Sequence, residues 1–142
     1  MFRIKQTGLI IMNKNSAKKP YILIAEDDIY YAHIYEIKLK KEGYDVSVFE
    51  NGKLAFQAAK KKKPNLVLLD LLMPIQDGFQ TAKQLKEDYS LNSIPILVLT
   101  NLGQEEDIQK MKEFNIADYI IKTNSSIGEI MTIIKKHCPL TT

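Results

Sequence analysis

The chain has 142 residues, 45% of them apolar, and a formal charge of +3, which fits one hydrophobic core rather than two. No apolar run approaches the roughly 18 residues that a membrane-spanning helix needs, and the patch Leu9–Met12 is too short for a secretory core and lacks a cleavage signal after it. The single cysteine, Cys138, excludes an intrachain disulfide, so the expected location is the reducing cytoplasm.

Residues 1–19 read as a flexible N-terminal extension, with polar and basic side chains around that one patch. Pro20 marks the start of a compact domain over residues 20–138, and 139–142 form a tail. Tyr21–Ala25 is a short apolar run and the first strand. Residues 29–42 carry Tyr30, Ile34 and Ile37 at helical spacing with lysines opposite, and Gly43 supplies the usual stop. Val46–Phe49 is the second strand. Asn51 caps a helix over 52–63 that Pro64 ends. Leu66–Leu69 is the third strand, followed by a weaker helix over 78–88. The fourth strand runs over 94–99, with Pro95 near its start, where a missing donor matters least. A helix over 105–115 presents Ile108, Met111 and Phe114 on one face and starts on three acids, which suits the positive end of its dipole. Asp118–Ile121 is the fifth strand, and a last helix over 126–136 packs Ile127, Ile130 and Ile134 inward.

Strand and helix therefore alternate five times. The strands are continuous apolar runs, not alternating ones, so both their faces are buried. This predicts an α/β fold in which a five-stranded parallel sheet is covered by helices on each side. The lysine runs 18–19, 60–63 and 135–136 read as solvated helix ends. Without interleaved aromatics or zinc-ligand spacing they do not predict nucleic-acid binding. His33 and His137 have no chemical role in this reading, and no glycine-rich nucleotide loop or Gly-x-Ser-x-Gly elbow is present.

Binding sites in such sheets form beyond the carboxyl ends of the strands. That rule selects Glu26 and Asp27 after the first strand, Asp70 after the third, Thr100 and Asn101 after the fourth, and Lys122 after the fifth. Three carboxylates in one small site repel one another unless a cation compensates, and magnesium takes oxygen ligands of this kind. With the cation present, Asp70 is placed to attack phosphorus as a nucleophile. Lys122 and the hydroxyl of Thr100 would then meet the phosphoryl oxygens. Asp28 reads only as a helix cap.

These residues lie in segments that carry a resemblance. They are Ile22–Asp28, Leu68–Gly78 (with Leu71-Leu72-Met73-Pro74 after the acid), Leu97–Thr100 and Asp118–Lys122. In this order and at these intervals the chain resembles the receiver domains of two-component response regulators, over roughly residues 20–138. The resemblance implies the CheY-like (βα)5 fold with strand order 2-1-3-4-5. It implies Asp70 as phosphoacceptor and Asp27 as direct ligand of magnesium, for which manganese can substitute. Glu26 is the second acid, often acting through water, and the backbone carbonyl of Leu72 is a main-chain ligand. Thr100 becomes the switch hydroxyl, Lys122 the phosphate-pairing ammonium, and Tyr119 the aromatic that changes rotamer with the threonine. A plain half-buried core tyrosine is the other reading of Tyr119. The implied phosphoryl donor is a sensor histidine kinase or a histidine phosphotransfer protein. The implied output is a downstream protein target, or a fused output domain absent from this chain, reached through helix four, strand five and helix five. A homodimer through that face is also compatible, with no nucleic acid and no membrane contacted by this domain.

The chain departs from the family pattern at three positions. Thr123 stands where proline usually follows the lysine, which leaves that peptide cis or trans. Asn101 stands where a small residue is common. Leu72 stands where many relatives carry a polar side chain. A leucine cannot orient a hydrolytic water, and the larger Asn101 side chain narrows access to the phosphoryl site, so together they predict slow self-dephosphorylation. Beyond self-catalysed phosphoryl transfer no turnover enzyme is expected. Met73-Pro74 shapes the loop, and Gly78 is expected to supply an unusual backbone angle. The alternatives are a receiver-like interaction module that ignores phosphate and, more remotely, a metal-dependent phosphohydrolase.

Overall fold

The computed structural model describes residues 18–140. Within them the chain folds as β1 (Tyr21–Ala25), α1 (Ile29–Glu42), β2 (Asp45–Phe49), α2 (Gly52–Lys61), β3 (Leu66–Leu69), α3 (Gly78–Glu87), β4 (Ile96–Thr100), α4 (Glu105–Lys112), β5 (Asp118–Ile121) and α5 (Ile127–His137). A 3-10 turn over Lys122–Asn124 joins β5 to α5. The strands pair in parallel in the order β2-β1-β3-β4-β5, so the expected topology is the observed one. Most of the predicted N-terminal extension, residues 1–17, and residues 141–142 of the tail lie outside the described residues. Leu140 packs against the core, so the tail is tied to the domain at that point.

Successive strand residues feed opposite faces of the sheet. Leu23, Val67, Leu69, Ile96 and Val98 meet Ala55 and Ala59 of α2, Ala82 and Leu85 of α3, and Met111 of α4. Ile22, Ile24, Leu66, Leu68, Leu97 and Leu99 meet Tyr35 and Leu39 of α1, and Ile130, Met131 and Ile134 of α5. Each fully buried side chain of this size contributes roughly 1.5–3 kcal/mol, and the central strands contribute at every position. Helix ends are closed locally. The Asp28 carboxylate accepts from the amides of Tyr30 (2.9 Å) and Tyr31 (3.4 Å). Asn51 Oδ1 accepts from Leu54 N at 2.9 Å, and Gly43 turns left-handed at φ 114°.

Four expectations are corrected. Helix α1 turns Ala32, Tyr35 and Leu39 to the sheet, while Tyr30 and Ile37 are exposed and only Ile34 of the predicted face touches the core. This helix is apolar on more than one side, so its period does not reveal its phase. Ile127 is likewise half out of the core and Met131 replaces it. Strand β4 starts at Ile96, because the Ile94 amide is used in a turn to Leu91 O (3.1 Å) and Pro95 has no amide to give. Helix α4 ends at Lys112. The amides of Phe114 and Asn115 reach only three residues back, and Asn115 turns left-handed at φ 56°.

Candidate functional site

Because all strands are parallel, their carboxyl ends share one edge of the sheet. The amide of Glu26 reaches Phe49 O (2.9 Å) and that of Asp70 reaches Ala25 O (3.0 Å), so both acids sit where the ladder runs out. Thr100 is the last residue of β4, and Lys122 follows β5 directly. Glu26, Asp70, Thr100 and Lys122 are buried, and Asp27 is exposed at the mouth.

The Lys122 ammonium donates to Glu26 Oε1 and, at 3.2 Å, to Asp70 Oδ2. Its third side faces the ring of Tyr31, with Nζ 4.3 Å from the centroid. Asp70 Oδ1 accepts from Leu71 N at 2.7 Å, and Glu26 Oε2 from Asp28 N at 3.2 Å. Burial pushes the Glu26 carboxyl well above the usual carboxylate range, with the bond from Lys122 opposing and the Asp70 charge adding to the rise. For Lys122, burial works against the charged form, but the bond to Glu26 and the Asp70 charge outweigh it and hold the ammonium above its ordinary value. The site is thus short of positive charge, and one lysine does not balance it.

Glu26, Asp27 and Asp70 each offer a carboxylate oxygen within 4.8 Å of the others. The Leu72 carbonyl accepts no hydrogen bond among the described residues. Two buried carboxylates and a third at the mouth, with a single lysine to offset them, fit a hard divalent cation.

The model of the response regulator receiver domain family matches residues 22–135. The chain belongs to that family. The DNA-binding dual master transcriptional regulator RpaA of Synechocystis sp. is 36% identical over 103 residues, which is 72% of this chain and 43% of that protein. The chain therefore spans less than half the length of this curated relative. The BeF3-activated N-terminal receiver domain of RstA from Klebsiella pneumoniae superposes with a TM-score of 0.74 at 30% identity, covering 82% of this chain and 97% of that one. The signal receiver domain of a signal transduction histidine kinase from Syntrophus aciditrophicus gives 0.76 at 29% identity, over 83% and 89%. The molecule is accordingly a receiver module of two-component signalling, with an acidic cluster able to coordinate a metal.

In this receiver the Thr100 hydroxyl does not bond Asp70. It accepts, at 3.4 Å, from the amide of Leu102, while the hydroxyl of Tyr119 donates to the carbonyl of the same residue at 2.6 Å. Burial, and then the charges of Asp107 and Asp70, push the Tyr119 phenol up to about 12, so it remains a proton donor at neutral pH. All described peptides are trans, including the one between Lys122 and Thr123, and Lys122 reaches the acids from its 3-10 turn without a proline after it. Gly78 does not supply a left-handed angle as expected; among the described glycines only Gly43 does. Its role is close approach, since a Cβ there would lie 2.1 Å from the Asp70 carbonyl oxygen and 2.8 Å from Leu71 Cα. Leu72 projects into solvent, as does Asn101.

Two contributors escaped the sequence reading. Leu102 acts through its peptide groups, which leave no side-chain signal. Tyr31 was hidden because the neighbouring Tyr30 fits an apolar stripe equally well; the tyrosine spacing 31–35 would have shown a stacked pair. Among the described residues no helix is long and apolar enough to cross a membrane.

Proposed function

We propose that this receiver takes one phosphoryl group onto Asp70 from the phosphohistidine of a sensor histidine kinase or a histidine phosphotransfer protein. Magnesium is the resident cation in this reading, held by Glu26, Asp27, Asp70 and the Leu72 carbonyl, with manganese able to replace it. The observation that carries the reading is the convergence of one buried ammonium and two further carboxylates, those of Glu26 and Asp27, around Asp70.

The Asp70 carboxylate attacks phosphorus. A P–O bond forms as the P–N bond of the donor breaks, and the electron pair leaves with the imidazole nitrogen. Magnesium, when bound, offsets charge on the phosphoryl oxygens. Lys122 follows Asp70 and pairs with one of those oxygens. Thr100 gives up the Leu102 amide to donate its hydroxyl to another. That exchange frees the Leu102 peptide, which Tyr119 also holds, and so carries the change from Asp70 to the α4–β5–α5 face, where a protein partner reads it.

The test is mass spectrometry with a small acyl phosphate as donor. With magnesium the wild type gains one phosphoryl unit. A chelator prevents the gain, and Asp70→Asn abolishes it. A gain that persists in Asp70→Asn, or a wild type that never gains, overturns the assignment.

A further inference from the structure

Lys122 closes the site, yet the segment that carries it gives its side chain little direction. The residue opens a three-residue 3-10 turn whose cap is a long bond of 3.4 Å from Ser125 N to Lys122 O. Beyond it lies a flexible four-carbon stem. Two of the three groups that meet its ammonium are the carboxylates of Glu26 and Asp70, both candidate ligands of the cation. The third is the face of Tyr31. That ring is itself fixed: it stacks on Tyr35 at 6.0 Å with planes 20° apart, and Tyr35 is buried in the core beneath α1. Tyr30 lies beside it, with ring centroids 6.3 Å apart and planes at 73°.

We infer that Tyr31 is a positioning residue for phosphoryl transfer, holding the Lys122 ammonium against the negative face of its ring and so aiming it at Asp70. This rests on the phosphoacceptor reading above. Among the described residues the ring is the one partner of the Lys122 ammonium that is no oxygen ligand. When Glu26 and Asp70 turn toward a bound cation, Lys122 loses part of its hold on them, and Tyr31 keeps the ammonium from swinging into solvent. The attraction is strongest where water is excluded, and Lys122 is buried here. The order of support therefore runs from the core through Tyr35 to Tyr31 and Lys122. In this chain it does the work of a rigid loop after the lysine.

The experiment compares Tyr31→Phe, which keeps the ring, with Tyr31→Leu, which removes it. In metal-free protein the ε-methylene resonances of Lys122, assigned with Lys122→Arg, should be shifted upfield by the ring current in wild type and Tyr31→Phe. In Tyr31→Leu the shift should be lost. With magnesium and a small acyl phosphate, Tyr31→Leu should take up phosphoryl about tenfold more slowly, with magnesium affinity unchanged, while Tyr31→Phe keeps the wild-type rate. A Lys122 resonance indifferent to Tyr31→Leu, an unaltered rate, or an equal loss in Tyr31→Phe overturns the inference. Absence of uptake in the wild type instead overturns the acceptor reading, while the Lys122 resonance still reports on the ring contact. Should Tyr31→Leu fail to fold, nuclear Overhauser contacts between the Tyr31 ring and the Lys122 ε-methylene in the wild type decide the matter: they are expected, and their absence refutes the contact.

Discussion

The hydroxyl of Tyr119 donates a 2.6 Å hydrogen bond to the carbonyl of Leu102, bridging β5 to the loop that follows β4. The same residue gives its amide to Thr100, so one peptide unit joins the end of β4 to the aromatic on β5. Removing the phenol oxygen with Tyr119→Phe leaves that carbonyl without its donor. The expected cost is about 1 kcal/mol, read as a lower urea midpoint at constant slope. Amide exchange at Leu102 and Gly103 should quicken more than exchange in the central strands. Uniform exchange across the sheet would refute the local role.

Gly78 is a packing requirement. A methyl group there collides with the backbone of Asp70 and Leu71, and backbone cannot swing aside as a side-chain tip can. Gly78→Ala should destabilise by at least about 2 kcal/mol, at the upper end of ordinary overpacking. It should also slow phosphoryl uptake by displacing Asp70. A variant with wild-type stability would show that α3 is free to shift.

The ion pair of Lys60 with Asp88, 2.8 Å, ties the end of α2 to the end of α3. The bond from Lys60, and next that from Ser90, hold the Asp88 carboxyl at about 2, below its ordinary 3.8. A carboxyl lowered in the folded state stabilises above its unfolded value and loses that contribution as pH falls through its folded one. The advantage of the wild type over Asp88→Asn in urea unfolding should thus be full at pH 6 and shrink between 3.8 and about 2. Because both partners are partly exposed, added salt should reduce it too. A constant difference across this range would contradict the pairing.

Leu72 stands at the mouth of the site with its side chain in solvent and no polar group to direct a water. The phosphorylated wild type should decay slowly, and Leu72→Asn should shorten its lifetime. Decay of the wild type within seconds, with magnesium present, would sink this expectation.

The strands, their order and the residues at their carboxyl ends were legible because apolar runs of four or five and the parallel-sheet rule leave few alternatives. Glu26, Asp27, Asp70, Thr100 and Lys122 converge for that reason alone. What composition could not reveal was phase and contact. Helix α1 offers apolar side chains around much of its circumference, so only the fold decides that Tyr35 goes in and Tyr30 stays out. Gly78 announced a special position without saying which, since angle and clearance both call for glycine. The bonds to the Leu102 peptide are invisible in any residue name, and the Tyr31 contact depends on where a long lysine stem places its ammonium.

Among the described residues, β5 is the outermost strand on its side and pairs with β4 alone, whereas Asp70 follows a strand flanked on both sides. Margins of a sheet open at lower free energy than its middle. A brief peeling of β5 would withdraw the ammonium while the acids stayed assembled on inner strands. Occupancy by a cation and engagement of the lysine would then be separable events on different clocks, with the slower disassembly belonging to the acids.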